Sequence, residues 1–103
     1  MSVDMARDYA NDLADTLRTD SPDDIGEWME GVLDYQVTYN SHRELVSVRV
    51  LVGFGGPNVW IVFDGDDARV QVSWWSDMVE VYVPRAPLSG PVFDYFQECV
   101  LVA

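Results

Sequence analysis

The chain has 103 residues, of which 49% are hydrophobic and 13% are aromatic. This length and composition suit a single domain over residues 1–103 with its own hydrophobic core, and they exclude a disordered chain. Eighteen acidic residues oppose six basic ones, which gives a formal net charge of −12. Such a charge disfavours direct binding to nucleic acid or to an anionic membrane, and it favours basic proteins or cations as partners.

Cysteine content and hydropathy narrow the class of protein further. Cys99 is the only cysteine, so an internal disulfide and a cysteine zinc cluster are excluded. The apolar runs are too short to cross a bilayer, and the first residues, MSVDMARDYAND, are acidic, unlike a secretion signal. We therefore expect a cytoplasmic protein that has no membrane span and needs no cofactor.

Two helices are predicted before residue 35. The first covers residues 2–18, and its apolar face consists of residues four apart with three alanines beside them: Met5, Tyr9, Leu13 and Leu17, then Ala6, Ala10 and Ala14. The second runs from about Pro22 to Leu33, with Asp20 or Ser21 as its cap. Its predicted apolar face comprises Ile25, Trp28, Met29, Val32 and Leu33. Asp34 either ends this helix or begins the next strand.

From residue 35 the hydrophobic pattern changes to a period of two, which is typical of strands. Alternating segments lie at residues 35–40, 45–52, 59–63, 69–75 and 78–83, separated by turn-forming sequences that include GFGGPN and DGDDA. Residues 91–103 predict a closing helix with Ser89 as its cap and Val92, Phe93 and Phe96 facing inward, and the end from Cys99 is also compatible with a strand. The predicted fold is α+β, with two N-terminal helices packed on one face of an antiparallel sheet of about five strands, and a C-terminal helix.

No motif indicates catalysis. His42, the only histidine, lies in a predicted turn, and Cys99 lies in a distant apolar run, so an inert buried thiol is favoured over a nucleophile and base. GFGGPN joins two strands, whereas a phosphate-binding loop leads from a strand into a helix. DGDD lacks the ligand spacing of an EF-hand. We expect a protein that is not an enzyme and has no metal site.

Aromatic residues form one candidate binding surface. In the strand RVQVSWW, Trp74 shares its face with core valines, whereas Trp75 falls on the face that the helices leave uncovered. Trp60, Arg49 and Tyr82 are expected on that face as well. Exposed Trp, Tyr and Arg are typical of interface hot spots, so this surface is a candidate contact with a partner or with a second copy in a homodimer. The alternative is that the closing segment of the chain or a self-dimer covers it.

Acidic residues form the other candidate surface, because they recur along both predicted helices. One stripe comprises Asp4, Asp8, Asp12 and Asp15, and the other comprises Asp23, Glu27, Glu30 and Asp34. Neighbours three or four apart on a helix repel at about 0.2–0.5 kcal/mol per pair. Selection for stability alone would intersperse lysine, and the chain has none. The stripes therefore indicate a surface for a basic partner, as a diluted imitation of a phosphate backbone.

Composition bias is the alternative explanation of the stripes. Ten of the 18 acids and two of the six arginines lie in residues 1–34, so this third of the chain carries −8 of the −12. High-GC coding favours arginine over lysine, and adaptation to salt favours acids. Under this alternative the stripes are solvated surfaces without a partner.

In its small size, its acidity, its lack of lysine and its striped helices, the chain resembles the anti-defence proteins of phages and mobile elements, including anti-CRISPR and antirestriction proteins. The resemblance implies a non-enzymatic inhibitor in the host bacterial cytoplasm. Its partner would be a basic, nucleic-acid-binding defence complex, bound through the acidic stripes as by a DNA mimic. The alternative is a generic protein-interaction module of a high-GC or salt-adapted bacterium that binds through the aromatic sheet face.

Overall fold

The computed structural model describes residues 3–19, 23–54, 58–74 and 77–97, and of residues 3, 4, 74 and 77 it describes the backbone alone. The elements in chain order are α1 (Val3–Thr19), α2 (Ile25–Met29), β1 (Asp34–Tyr39), β2 (Leu45–Gly53), β3 (Asn58–Asp64), β4 (Asp67–Trp74), β5 (Asp77–Val83) and α3 (Ser89–Tyr95). None of the helices in these ranges combines the length and apolar character that a membrane span requires.

The five strands form one antiparallel sheet in the order β1-β2-β3-β4-β5. Each strand pairs with its neighbour in sequence, so the sheet is a meander. This confirms the predicted α+β class and the predicted number of antiparallel strands, and α3 confirms a helix after the sheet.

Short polar turns fix the register of the meander. Asp64 pairs with Asp67 and leaves Gly65 and Asp66 as a two-residue turn. Gly65 has φ of 59°, in the left-handed region that glycine adopts without steric cost. The predicted Asp-Gly hairpin is therefore confirmed.

The buried face of the sheet consists of small and branched apolar residues aligned across the strands. Val48, Phe63, Ala68 and Val83 are paired in succession across β2 to β5, and each is fully buried. Helix α1 lies over β4 and β5, and α3 contacts β2 and β3. One core therefore joins the sheet to the helices.

The buried face of α1 agrees with the predicted one in part: Leu17 is 1% exposed and Leu13 is half-buried, as predicted. Ala6, Ala10 and Ala14 are at most 2% exposed, whereas Met5 and Tyr9 are 58% and 45% exposed. Alanine side chains are small enough for the helix backbone to approach the sheet closely, and larger side chains at these positions would hold it away. The helix is therefore turned so that its alanines and Leu17 face the core, whereas Met5 and Tyr9 are exposed.

The second helix is much shorter than the predicted span from Pro22 to Leu33. Its cap is Asp24, whose carboxylate accepts hydrogen bonds from the Gly26 and Glu27 N–H groups at 3.0 and 3.4 Å. The predicted caps, Asp20 and Ser21, lie outside the described residues.

The end of α2 is set by pairing with the sheet. After Met29 the chain turns at Gly31, and the Leu33 N–H donates to the Leu51 carbonyl oxygen at 2.8 Å. Asp34 then opens β1. Glycine weakens a helix by about 1 kcal/mol relative to alanine, so sheet pairing prevails over helix extension here. The N-terminal helices are one long and one short helix.

The closing helix keeps its predicted inward residues but not its predicted cap. Val92 and Phe96 are fully buried, and Phe93 is half-buried. Leu88 occupies the N-cap position, and the Ser89 hydroxyl instead donates to the Gly65 carbonyl oxygen. Ser89 thus ties α3 to the β3–β4 turn. The predicted alternative of a strand from Cys99 lies outside the described residues.

The alanine contact of α1 predicts a test of the fold. Ala10→Leu should destabilise the protein by about 1–3 kcal/mol, because the fully buried Ala10 has no room for a larger side chain. Asn11→Leu, on the exposed side of the same helix, is the matched control and should change the free energy of unfolding by less than about 0.5 kcal/mol. Urea unfolding measures both. Equal stability of the two variants would show that α1 does not pack through its alanines.

Candidate functional site

The acidic stripe of α1 lies on the side of the helix that faces away from the sheet. Asp8, Asp12 and Asp15 are all exposed, and at about 100° per residue they lie roughly opposite Ala10 and Ala14. For Asp4 the backbone alone is described, and its position in the helix continues the stripe by one turn. The tertiary structure therefore directs this stripe to solvent.

Among the described residues of the stripe, only Asp15, near the end of α1, has an ion-pair partner. Asp15 forms an ion pair with Arg18 one turn later. Asp8 and Asp12 have no ion-pair partner among the described residues. Both carboxylates are exposed and are therefore accessible to a basic partner.

The second predicted stripe is divided between different elements. Asp23 and Glu27 are exposed around the start of α2, and Glu30 occupies its C-cap. Asp34 lies on β1, where its carboxylate accepts the Tyr35 N–H at 2.8 Å. The prediction that Asp34 shares a helix face with Glu27 is therefore wrong, because sheet pairing ends the helix before it.

The other candidate surface, the outer face of the sheet, is the face opposite the core. Register places Trp60, Val62, Arg49, Arg69 and Tyr82 on this face, as neighbours on adjacent strands. The described helices contact the opposite face. The prediction that Trp60, Arg49 and Tyr82 share a face is confirmed, whereas Trp75 lies outside the described residues.

Trp60 is held by a neighbouring cation. The guanidinium carbon of Arg49 lies 3.9 Å from the centre of the Trp60 ring. Arg49 also donates to the Gln36 side-chain oxygen at 3.3 Å. The indole is therefore fixed in place before any partner arrives, which lowers the entropic cost of binding.

The second arginine of the outer face is paired with acids. Arg69 contacts Asp64 at 2.6 Å and Glu80 at 3.3 Å, and so joins β3, β4 and β5. Both arginines of the outer sheet face thus have partners within the fold, whereas Asp8 and Asp12 of the α1 stripe have no ion-pair partner among the described residues.

Two apolar residues of the outer face were not singled out from the sequence. Leu51 and Val62 are 9% and 6% exposed, although they lie outside the cluster that forms the core. Strand register is the signal that identifies them, because Leu51 pairs with Trp60, and Val62 pairs with Arg49 and Arg69.

Tyr82 is anchored at the end of the sheet. Its hydroxyl donates to the Asp67 carboxylate at 2.5 Å, and Asp67 also accepts the Arg85 N–H at 3.0 Å. The hydrogen bond from Tyr82, with that from Arg85, lowers the pKa of Asp67 below its ordinary value of 3.8. The same contact raises the pKa of Tyr82 above 10.0. The ring is 54% exposed, so an anchored aromatic side chain faces solvent.

The described residues contain no group of three or more His, Cys, Asp or Glu side chains placed to bind a metal ion. His42 is exposed in the turn after β1, where its N–H donates to the Asn40 side-chain oxygen at 2.9 Å. Cys99, for which the sequence favours an inert buried thiol over a catalytic pair with His42, lies outside the described residues.

No family model, curated protein or solved structure matches this chain. The functional argument therefore depends on the geometry and charge of the two surfaces.

The Tyr82–Asp67 contact predicts a dependence of stability on pH. Because the folded-state pKa of Asp67 is lowered, its stabilising effect is complete above about pH 4 and is lost as the pH falls through the folded pKa. Tyr82→Phe should therefore lower the melting temperature at neutral pH, and the difference from the parent should narrow in acid. Tyr39→Phe, at an exposed tyrosine of β1, is the control.

An alkaline titration checks the same contact through its other member, the Tyr82 hydroxyl. The raised pKa of Tyr82 means that its contribution is complete below pH 10.0 and is lost as the pH rises through the folded pKa. The absorbance of ionised tyrosine should show a late component that Tyr82→Phe removes. A Tyr82→Phe melting difference that is constant across acid pH would contradict the contact.

Proposed function

We propose that this protein is a non-enzymatic inhibitor that binds a basic, nucleic-acid-handling protein through the acidic face of α1. The observation that carries the proposal is the exposure of Asp8, Asp12 and Asp15 on the side of α1 opposite its buried alanines. A partner that normally binds phosphates would find regularly spaced carboxylates in their place. The site of action would be the bacterial cytoplasm.

The spacing of the carboxylates supports this proposal. Along α1, Asp8 and Asp12 are separated by a rise of about 6 Å, and Asp12 and Asp15 by about 4.5 Å. Duplex DNA presents about one charge per 1.7 Å of its axis, so the helix offers a sparser array. Because Asp34 lies on the sheet, the imitation of a phosphate backbone is limited to the stripe on α1 and to the exposed Asp23, Glu27 and Glu30 around α2.

The energetics of the stripe also favour a role in binding. Asp8 and Asp12 are four apart on one helix face and Asp12 and Asp15 three apart, so each pair is unfavourable by a few tenths of a kcal/mol, or about 0.5–1 kcal/mol together. The cations of a basic partner attract these aspartates, which offsets the repulsion between them and accelerates association. With −12 overall, the protein itself should not bind duplex DNA.

Neutralising the stripe tests the proposal. Asp8→Asn with Asp12→Asn should keep or slightly raise the melting temperature at low salt, because like-charge contacts are relieved. In a low-salt pull-down from bacterial lysate, the parent should retain nucleic-acid-binding proteins that duplex DNA and added salt displace. The double variant should lose most of them. Mass spectrometry of the retained proteins, followed by a gel shift of each with DNA, measures binding and inhibition.

Asp66→Asn with Asp94→Asn is the matched control, since it removes two exposed charges from other elements. This control should retain the same proteins as the parent. The proposal fails if both double variants behave alike, or if the purified protein binds duplex DNA in the micromolar range at low salt.

The outer sheet face supports a second candidate function, a protein-interaction module that binds through aromatic residues. The fixed Trp60 and the exposed Tyr82 lie on a sheet face that no described helix contacts. Anchored aromatic residues of this kind carry much of the energy of protein interfaces. The occupant under this candidate is either another protein or a second copy of the chain.

Salt dependence and one substitution distinguish this candidate from the first. Trp60→Ala should weaken sheet-face association about tenfold or more, and raised salt should affect it little. Phe54→Ala, at a residue that is 75% exposed and precedes β3, is the control and should have no effect. Analytical ultracentrifugation measures self-association, and the pull-down measures other partners. Unchanged association of Trp60→Ala in both assays would eliminate the sheet face.

A further inference from the structure

An apolar cavity of about 240 Å³ opens between α1, α2 and the sheet. Most of its wall consists of apolar side chains from all three parts: Leu13, Leu17, Trp28, Val32, Val52 and Ile61. Thr16 and Gly31 complete the described lining. The cavity is therefore separate from the outer sheet face and lies on the helical side of the molecule.

The cavity follows from two features of the fold. The alanines of α1 hold this helix over β4 and β5, and α3 contacts β2 and β3, so a gap remains over Val52 and Ile61 between α1 and α2. Helix α2 ends at Met29, and Gly31, just beyond it, contributes no side chain to fill that space.

Carboxylates flank the opening on two sides. On α1, the Thr16 hydroxyl donates to the Asp12 backbone oxygen at 3.2 Å, and the two side chains are neighbours four residues apart. On α2, Trp28 lines both the cavity and an adjoining depression whose other described residues are Asp23, Asp24 and Glu27. An apolar hole is thus bordered by negative charge from both helices.

The size of the cavity indicates the size of its occupant. An engineered protein cavity of about 150 Å³ binds benzene, and sites for drug-sized ligands begin at about 300 Å³. A volume of about 240 Å³ therefore suits one aromatic or branched aliphatic side chain. Tyr9, 45% exposed and one turn before Leu13, extends the apolar surface along α1.

We propose that this cavity receives an apolar side chain from a basic segment of the protein partner, with arginine or lysine on either side of it. The inference rests on the proposed function and adds to it the feature that the partner must present. The charge around the opening favours a basic occupant, because the carboxylates of Asp12 and Glu27 do not attract a neutral apolar molecule. A cation beside the inserted side chain is attracted by both carboxylates.

Three short peptides test the proposal on the intact protein. The probes are the capped peptides Arg-Arg-Trp-Arg-Arg, Arg-Arg-Ala-Arg-Arg and Gln-Gln-Trp-Gln-Gln, with affinity measured by calorimetry at low salt. The first should bind at least about tenfold more tightly than the alanine peptide, since burial of one aromatic side chain contributes at least this factor. It should also bind more tightly than the glutamine peptide, which lacks the cations that the carboxylates around the opening attract. Its binding should shift the NMR signals of Ile61, Val52 and the Trp28 indole.

Two variants separate insertion from charge attraction. Thr16→Phe should fill the opening and reduce the affinity for the tryptophan-containing arginine peptide to that of the alanine peptide, and Gly31→Val should act in the same direction. Gly31 tolerates a side chain, because an added Cβ would lie 3.6 Å from the nearest atom, the Trp28 carbonyl oxygen. Thr19→Phe, at an exposed position that does not line the cavity, is the matched control and should bind as the parent does.

The outcomes distinguish this proposal from the proposed function. If both arginine peptides bind with equal affinity and lose it in the Asp8→Asn, Asp12→Asn variant, the acidic face binds basic partners and the insertion proposal is overturned. If neither arginine peptide binds, the proposed function and the insertion proposal both fail. If the glutamine peptide binds as tightly as the arginine peptide with tryptophan, the cavity takes apolar groups regardless of charge and the basic occupant is wrong. The proposal is supported if, of the three peptides, only Arg-Arg-Trp-Arg-Arg binds tightly and this binding is lost in Thr16→Phe.

Discussion

Close packing of the alanine strip of α1 on strands β4 and β5 determines the arrangement of this protein. Ala6, Ala10 and Ala14 are at most 2% exposed, and the sheet beneath them is lined by small and branched residues such as Ala68 and Val83. The contact fixes the rotation of α1 about its axis. Because the stripe of aspartates is on the opposite side of the helix, the same contact that forms the core also directs this charge to solvent. The position of α1 over one half of the sheet leaves the other half to α2 and α3, and with it the cavity beside Trp28.

Charged side chains have partners within the fold on the outer sheet face but largely lack them on the exposed face of α1. On the outer sheet face, Arg49 is placed over Trp60 and Arg69 bridges two acids, so the cations have partners within the fold. On α1, Asp8 and Asp12 have no ion-pair partner among the described residues. Exposed ion pairs contribute at most about 1 kcal/mol, so this difference concerns stability less than recognition. A surface with unpaired carboxylates attracts an oppositely charged partner over a distance of about 8–10 Å, whereas recognition through aromatic side chains depends on contact.

Trp28 connects the core with the acidic surface. Its ring meets Phe63 edge-on, with 6.4 Å between the ring centres, and its exposed part lies between the apolar cavity and the carboxylates around α2. A residue in this position binds α2 to the sheet although the helix has only five residues. Short helices are unstable alone, so α2 depends on such tertiary contacts. Any partner that inserts beside Trp28 would therefore contact a wall fixed by the core.

The amino-acid sequence by itself determined the five strands, the hairpin at Gly65 and the aspartate stripe of α1. These follow from local patterns: alternation in a strand, a turn that needs a positive φ, and spacing along a helix. Tertiary structure alone decided that Met5 and Tyr9 of α1 are exposed, where α2 ends and that Arg49 lies over the Trp60 ring. Local periodicity placed Tyr9 in the core as readily as Ala10, and the sheet, which accepts the closer helix, selected the alanine. Likewise, the sequence pattern allows Asp34 to continue a helix. In the folded chain it pairs with Leu51 of β2, and only the tertiary structure brings these two segments together.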